Sequence, residues 1–240
     1  MRQGWESEAV NWARFARTPG HDHAHEHINL PAFLQLLPPP GRRTLDLACG
    51  EGRLGRVLQA AGHTVVGIDT SPTLVRLAAA HPGRALAVLA DATQLPFLAA
   101  QFDLAVAYMC LHDVDDMPGA IAEVARVLAP SGQLCMAIPH PVNSAGSFAD
   151  RSPNAPFVIT GSYLDSRSLR LTANRDGVSL IFHSEHRPLQ VYAAALEAAG
   201  LLIARITETR VPDELAATDP AARRWQRVPL FLHLRAVKPG

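Results

Sequence analysis

Residues 45–55 read LDLACGEGRLG, an apolar run that breaks abruptly into glycines. Gly50, Gly52 and Gly55 spell G-x-G-x-x-G within it. A strand that ends in such a loop lets the backbone pass close to a ligand, and the helix that follows offers free N–H groups there. Asp69 ends the next apolar run, where an acid accepts hydrogen bonds from the ribose hydroxyls of an adenosine. The glycine loop and Asp69 together predict a ligand that contains an adenosine.

Apolar runs alternate with helical patterns around this loop. The predicted strands are 43–48, 63–69, 84–91, 102–110 and 133–139, and the helices between them are 53–62, 71–83 and 117–132. This alternation is typical of βαβ units and predicts an α/β fold, a Rossmann-like, doubly wound sheet with helices on both faces. A helix at 188–200 and strands at 201–210 and 228–237 follow; the last two lack a full crossover helix, which predicts an antiparallel last strand.

The remaining segments divide the chain into four parts. We expect an N-terminal helical cap or lid (1–40), with a helix at 7–17 behind a Ser7 cap, and a cofactor-binding core (41–139). An insertion rich in Ser, Asn, Gly and Pro (140–187) predicts a substrate cover with a β-hairpin that turns at Asp176-Gly177. The C-terminal part of the core sheet (188–240) completes the chain.

Composition limits the partners. The 240 residues are 48% hydrophobic and 18% charged, with a formal net charge of zero, which is typical of a globular protein with one substantial core. No basic stripe is present, so neither nucleic acid nor a membrane surface is expected as a partner. Three cysteines, odd in number and far apart, indicate reduced thiols, and no stretch approaches 18 apolar residues. We expect a cytoplasmic monomer or homodimer.

Three polar features narrow the ligand. Asp46 lies inside the strand before the glycines, where a carboxylate suits a ligand with a cationic amino end and not a pyrophosphate. Asp91 ends the predicted strand 84–91, where it can accept a hydrogen bond from the adenine amine. His112 and Asp113 follow the strand 102–110.

Five motifs carry a family resemblance: LDLACGEGR, VVGIDTSPTLV, ADATQLPF, FDLAVAYMCLHDV and EVARVLAPSGQLCMAIPHP. They resemble, in order, those of class I S-adenosylmethionine-dependent methyltransferases of the small-molecule, type 11 group. The resemblance implies a seven-stranded sheet with a reversed last strand, S-adenosyl-L-methionine as cofactor and S-adenosyl-L-homocysteine as product. The resemblance says almost nothing about the acceptor. The apolar cover and the neutral net charge predict a small aromatic or lipophilic metabolite, methylated on oxygen, nitrogen or carbon, as in the tailoring of secondary metabolites.

The same resemblance implies a set of cofactor-binding residues. Gly50 and Gly52 make room for the methionine part, Asp46 receives its ammonium group, Asp69 holds the ribose and Asp91 reads the adenine amine. Ala48 stands where many family members carry Gly, which narrows the loop's approach to the cofactor. The full predicted set is Asp46, Ala48, Gly50, Gly52, Asp69, Thr70, Asp91, Ala92, Tyr108 and Met109.

Candidate catalytic and substrate-binding residues follow strands four and five or lie in the predicted cover. His112, oriented by Asp113, is either a general base or a residue that shapes the pocket. His140, between two prolines, is a second candidate base or a histidine bonded to backbone at the turn. Tyr163, His183 and His186 are candidate substrate-binding residues with a structural alternative. Phe148, Phe157 and Phe182 would form an apolar inner wall of the cover.

The run HDHAHEH (21–27) offers a metal hypothesis, because an extended segment would put its four histidines on one side. A polar lid over the cofactor is the favoured alternative, with Trp12 or His27 touching the ligand, and no metal is predicted. Two other functions stay open: a non-methylating enzyme or sensor that binds the same cofactor, and an NAD(P)-dependent oxidoreductase. The oxidoreductase is expected to lack the combination of Asp46, Asp91 and the His-Asp pair.

Overall fold

A seven-stranded sheet forms the centre of the protein. The computed structural model describes residues 2–83 and 85–240. Its strands, in chain order, are β1 (Thr44–Leu47), β2 (Val65–Asp69), β3 (Leu86–Leu89), β4 (Phe102–Tyr108), β5 (Leu128–Pro139), β6 (Gly146–Phe148), β7 (Phe157–Ile159), β8 (Arg167–Arg175), β9 (Val178–His186), β10 (Leu202–Glu208) and β11 (Phe231–Val237).

Helices surround the sheet and precede it. In chain order they are α1 (Arg2–Arg17), α2 (Leu30–Leu34), α3 (Arg53–Ala60), α4 (Pro72–Ala79), α5 (Met117–Val127), α6 (Pro141–Ala145), α7 (Leu189–Ala198) and α8 (Asp213–Thr218). A π-helical turn spans His25–Asn29, and 3₁₀ turns span Leu111–Asp113 and Pro220–Gln226. None of the helices in 2–83 and 85–240 is long and apolar enough to cross a membrane.

The strand order in the central sheet is β3-β2-β1-β4-β5-β11-β10. Strands β1 to β5 are parallel, whereas β11 runs antiparallel to both β5 and β10. The predicted doubly wound sheet with an antiparallel last strand is therefore confirmed. Its strand order reverses between β1 and β4, and a crevice at the carboxyl ends of the strands at such a switch point is where ligands bind in this class of sheet.

The core lies on both faces of the sheet, as expected for parallel strands covered by helices. All four residues of β1 are buried, and Leu45 and Leu47 pack into one cluster with α5 and α7. On the other face, Val106 of β4 packs with Phe33 and Leu58.

Some boundaries differ from the sequence prediction. The helix predicted at 7–17 begins at Arg2, and the hydroxyl of Ser7 donates to the Gly4 carbonyl instead of capping the helix. The strand predicted at 84–91 spans Leu86–Leu89; Arg84 lies outside the described residues, as does residue 1 of the predicted cap. β5 begins at Leu128, because Leu128 already pairs with Phe102 before the register shifts.

The predicted hairpin is present as β8 and β9, which turn at Asp176 and Gly177. Both turn residues have positive φ, 47° and 76°, which is the backbone of a type I′ turn. The hairpin packs against α1, where Phe15 contacts Val178 and Leu180. α1 and the hairpin thus pack together as one cover. The division of the chain into four parts stays a prediction.

Candidate functional site

A cavity of about 590 Å³ opens at the carboxyl ends of β1, β2 and β4, beneath α1 and the hairpin. It brings together nine of the ten predicted cofactor-binding residues and the His112–Asp113 pair. Its volume lies in the range of small-molecule and cofactor sites.

The loop after β1 forms the floor of the cavity through residues in left-handed conformations. Ala48, Gly50 and Gly52 have φ angles of 53°, 58° and 85°. For alanine this conformation is strained, as is common where a backbone must approach a ligand. Gly52 does not line the cavity, which corrects the prediction that it makes room for the ligand. It precedes α3, and a Cβ added there would meet Arg56 and Ala78.

Asp69, at the end of β2, is fixed by the backbone around it. Its Oδ2 accepts a hydrogen bond from the Gly50 N–H at 2.8 Å and its Oδ1 from the Ser71 N–H at 2.8 Å. Burial raises the pKa of this carboxyl group above its usual value. Each oxygen of a carboxylate has a second lone pair, so the group still has acceptor capacity for ligand hydroxyls.

Asp46 is a buried polar group of the site that is only partly satisfied. Its side chain is 2% exposed, and Oδ2 has no hydrogen-bond partner in the described part of the chain. Burial, reinforced by the charge of Asp69, raises its pKa to about 7. An unpartnered buried oxygen costs about 1–3 kcal/mol. A ligand with a cationic donor would remove that cost, so the residue fits the ammonium end of a ligand.

The ends of β3 and β4 complete the polar wall. Asp91 lines the cavity and accepts hydrogen bonds from the N–H and the hydroxyl of Thr93, at 2.9 and 2.8 Å. The Tyr108 hydroxyl lies 3.0 Å from His25 Nδ1, and Met109 has a φ of 55°. Ala48, Thr70 and Ala92 also line the cavity, as predicted.

His112 and Asp113 lie in the 3₁₀ turn after β4, with His112 Nε2 3.3 Å from Asp113 Oδ1. Burial lowers the pKa of His112 to about 3 and raises that of Asp113 well above its usual value. Arg187 braces the turn by donating to the carbonyl groups of Leu111 and Val114, at 3.1 and 2.8 Å. Nδ1 of His112 has no hydrogen-bond partner among the described residues. The imidazole is therefore neutral at physiological pH.

His140 is placed outside the cavity, which corrects its prediction as a second base. Its Nε2 lies 2.9 Å from Glu208 Oε1, and its Nδ1 accepts from the Val142 N–H at 3.1 Å, which caps α6. Both ring nitrogens are engaged, so the alternative of a histidine bonded at the turn describes it.

The three residues predicted to bind substrate do not line the cavity either. His186 is bonded to the Ser144 hydroxyl at 2.7 Å and to the Tyr163 carbonyl at 2.9 Å, and the Tyr163 hydroxyl accepts from the Leu189 N–H. His183 lies against Gly4 of α1. Successive side chains of a strand point in opposite directions, which brings Phe182 to the cavity and turns His183 away.

Of the three predicted wall phenylalanines, only Phe182 lines the cavity. Phe148 and Phe157 pack edge to face at 5.1 Å and form a separate cluster in which Phe148 also contacts Trp225. The prediction failed for these two because the short β6–β7 pair turns them toward the segment after α8.

The aromatic wall comes instead from α1, whose Trp5, Trp12 and Phe15 face the cavity. The helical spacing of Trp12 and Phe15 was visible in the sequence, but their packing on β9 joins residues more than 160 positions apart. This wall gives the cavity an apolar side opposite its acids.

The histidine run is not extended, because residues 25–29 form the π-helical turn, and the rings of His23 and His27 lie 4.3 Å apart. His25 lines the cavity, His21 pairs with Asp176 at 3.0 Å, and His27 is 55% exposed and does not line the cavity. Within 2–83 and 85–240 no group of three or more His, Cys, Asp or Glu side chains is arranged to hold a metal ion.

The lining is strongly acidic. Among the described residues, one arginine, Arg53, and eight acidic residues line the cavity, although the Glu51 carboxylate is buried between Arg17 and Arg56. These are Asp22, Asp46, Glu51, Asp69, Asp91, Asp113, Asp115 and Asp116. A site of this charge favours a cationic ligand over an anionic pyrophosphate.

Comparison with known proteins agrees with the geometry. Residues 45–136 match the model of the family described as methyltransferase domain. The chain is 38% identical over 95 residues to an uncharacterized methyltransferase of Synechocystis sp., covering 39% of this chain and 45% of that one. It is 35% identical over 169 residues to the phthiotriol/phenolphthiotriol dimycocerosates methyltransferase of Mycobacterium leprae, covering 67% of this chain and 62% of that one. The matches thus span about half to three fifths of these relatives' lengths.

Among solved structures, an S-adenosylmethionine-dependent methyltransferase from Mesorhizobium loti superposes with a TM-score of 0.71 at 27% identity. The superposition covers 86% of this chain and 96% of that one, so the similarity extends beyond the matched domain.

Proposed function

We propose that the chain is a class I S-adenosylmethionine-dependent methyltransferase that methylates an oxygen, nitrogen or carbon atom of a small aromatic or lipophilic metabolite. One observation carries the proposal: a single cavity contains an unpartnered carboxylate oxygen beside a glycine loop, a carboxylate at the end of β2 and an aromatic wall. The chemistry of these groups matches an amino-acid head, an adenosine and an apolar acceptor, in that order.

The donor set fits S-adenosyl-L-methionine, whose sulfonium supplies an electrophilic methyl group when it is bound. Asp46 would take the ammonium group, Asp69 the ribose hydroxyls and Asp91 the adenine amine. The eight acidic side chains favour a ligand with net positive charge. The same acids disfavour a nicotinamide dinucleotide, because its pyrophosphate would face carboxylates.

The acceptor side is supported by the apolar wall. Trp5, Phe15 and Phe182 lie beside the polar turn that carries His112, so an aromatic or lipophilic compound would be held with a reactive atom near that turn. The relative from Mycobacterium leprae is named as a methyltransferase of phthiotriol and phenolphthiotriol dimycocerosates. By analogy, the proposed acceptor of this chain is a compound from secondary metabolism.

For a hydroxyl acceptor, His112 accounts for the proton. Bound S-adenosyl-L-methionine would supply the methyl group and leave as the neutral sulfide, so the net charge of the site would be conserved when the hydroxyl proton passes to the neutral imidazole of His112. Asp113, whose Oδ1 lies 3.3 Å from His112 Nε2, would orient the ring. α1 and the hairpin would exclude water and keep the groups in position.

Transfer of a labelled methyl group tests the proposal. The purified protein is incubated with S-adenosyl-L-methionine carrying a labelled methyl group and with panels of phenols, aliphatic alcohols, aromatic amines and electron-rich aromatic carbons. Labelled product with one acceptor class is the expected result. Binding of the cofactor with no transfer to any class, and recovery of the intact cofactor after turnover of a compound, would instead identify a non-methylating enzyme.

A further inference from the structure

We propose that the indole N–H of Trp12 binds the carboxylate of the cofactor's amino-acid head, so that helix α1 completes the cofactor site. The inference rests on the proposed function and assigns a role to a residue of the cap. Asp46 and Trp12 would then recognise the two charges of one amino acid, the first its ammonium and the second its carboxylate.

The position of the indole nitrogen is the first observation. A Cβ built on Gly50 would lie 3.5 Å from Trp12 Nε1, so the N–H lies directly above the glycine loop. Gly50 itself lines the cavity and has a φ of 58°. A ligand that passes over Gly50 therefore meets the indole N–H.

The indole N–H is also unused. A tryptophan N–H is a donor only, and the half-buried Trp12 donates no hydrogen bond to another residue in 2–83 and 85–240. Asp46, in the strand that leads into the same loop, has an acceptor atom without a partner. One spare donor and one spare acceptor at the same loop are complementary to the carboxylate and ammonium groups of an α-amino acid.

The ring is held rigidly, which fixes the direction of its N–H. Trp12 stacks on Phe15 at 6.0 Å between centroids and meets Trp5 and Phe182 edge to face at 5.9 and 6.0 Å. A donor with a fixed direction loses little conformational entropy on binding.

Ion pairs and hydrogen bonds fasten the helix at both ends. Arg17 Nε lies 2.7 Å from Glu51 Oε2, and Glu51 is the residue between Gly50 and Gly52. At the other end, Glu6 accepts hydrogen bonds from the hydroxyls of Ser71 and Thr73. The contact between α1 and the glycine loop thus sets the height of Trp12 above Gly50.

The alternative anion partner is Arg53, the cavity's arginine, and it is already engaged. Its guanidinium lies 3.0 Å from Asp22 Oδ2 and 3.7 Å from Glu26 Oε1. A ligand carboxylate would have to compete with two acids there, whereas it has no competitor at Trp12.

The test uses ligands that differ only in the amino-acid head. Affinities of wild type and Trp12→Phe are measured by calorimetry for S-adenosyl-L-methionine, for its decarboxylated form, which keeps the ammonium group, and for 5′-methylthioadenosine, which lacks the whole head. Phenylalanine keeps the aromatic packing and removes the N–H. Trp225→Phe, which packs on Phe148 outside the cavity, is the matched control.

We expect wild type to prefer S-adenosyl-L-methionine over its decarboxylated form by about tenfold, as for a hydrogen bond to a charged group. In Trp12→Phe this ratio falls towards one, while affinity for 5′-methylthioadenosine stays within twofold. The control keeps the wild-type ratio.

An unchanged ratio in Trp12→Phe would overturn the proposal, as would an equal loss for all three ligands, which would mark Trp12 as a packing residue. A wild-type protein with no discrimination against the decarboxylated form overturns it without any variant. Failure of wild type to bind all three compounds would contradict the proposed function itself and is distinguishable from these results.

Discussion

Asp46 shows most clearly how a single residue gives up stability for binding. The carboxyl group is buried in a strand of the central sheet, and one of its oxygens is unpartnered among the described residues. A hydrophobic residue would suit that position in the free protein better. The carboxylate is favourable only when a cation is beside it, which is the pattern expected of a ligand-binding group.

The pKa of Asp46 predicts how cofactor binding depends on pH. Because burial raises that pKa to about 7, the group is protonated at pH 6 and ionised at pH 8. An ammonium group binds the ionised form, so binding at pH 6 must release a proton. We expect the affinity for S-adenosyl-L-homocysteine to weaken by about tenfold from pH 8 to pH 6, since one pKa unit corresponds to a factor of ten.

Calorimetry from pH 6 to pH 8 measures this dependence. Asp46→Asn should bind weakly at every pH and lose the slope, whereas Asp165→Asn, an exposed carboxyl group outside the cavity, should behave as wild type. A wild-type affinity that is flat across this range would show that Asp46 does not receive the ammonium group.

His112 is predicted to act on turnover and not on cofactor binding. With a hydroxyl acceptor, His112→Gln should lower the rate of methyl transfer by about 10²- to 10⁴-fold and change the affinity for S-adenosyl-L-homocysteine less than twofold. Since burial lowers the pKa of His112 to about 3, protonation removes the base only at strongly acidic pH. The wild-type rate should therefore show no fall centred near pH 6.5 that belongs to this residue.

His140→Gln is the control for that experiment, because both ring nitrogens of His140 bond within the fold and away from the cavity. Equal rates of methyl transfer for wild type and His112→Gln would show that His112 only shapes the pocket and does not act as a base. A loss confined to His140→Gln would reverse the two assignments.

At this scale the sequence predicts best the residues whose position follows from a strand end. Asp69 and Asp91 follow parallel strands, and those strand ends meet at one edge of the sheet. For Gly52, His140 and His183 the direction of the side chain depends on packing between distant segments. No local pattern encodes that packing, so these residues were placed at the site in error.

The cap helix α1 decides the behaviour of the cavity at the scale of elements. It covers the glycine loop, carries the aromatic wall and is held by Arg17 and Glu6. We expect the entry and exit of a ligand to be coupled to movement of this helix. Local opening of such an element is measurable by hydrogen exchange.

Arg17→Met should loosen this cover. Glu51 keeps its second partner, Arg56 at 2.7 Å, so the expected loss in affinity for S-adenosyl-L-homocysteine is modest, about two- to fivefold. Amide exchange in 2–17 should be faster in the variant than in wild type without ligand, and saturating ligand should slow it in both proteins.

Arg14→Met, in the same helix and solvent-exposed, serves as the control. Exchange in α1 that does not respond to ligand in wild type would contradict its role as a cover.

The elements differ in how far the sequence predicts them. The Asp-Gly turn specifies the hairpin locally, because a type I′ turn needs two residues that tolerate positive φ. The start of α1 was predicted five residues late, because Ser7 resembled an N-cap residue. The histidine run was expected to be a loop, yet residues 25–29 continue into a helical turn that leads directly to α2.

The whole molecule combines a formally neutral chain with an acidic cavity. Its net charge is zero, while eight acidic residues and Arg53 line the cavity described here. The sheet that concentrates these acids was predictable, because alternating strands and helices allow few topologies. The packing of α1 against β9, which closes the cavity, was not predictable from the sequence. These two segments are separated by most of the chain, and no local pattern links them.

The identity of the cofactor, S-adenosyl-L-methionine and not a nicotinamide dinucleotide, is tested by calorimetric titration with S-adenosyl-L-methionine, S-adenosyl-L-homocysteine and NADH. We predict that the first two bind to one site with micromolar affinity and that NADH does not bind. Binding of NADH with no binding of either S-adenosyl compound would contradict the account, and the glycines at 50, 52 and 55 would then belong to a dinucleotide site.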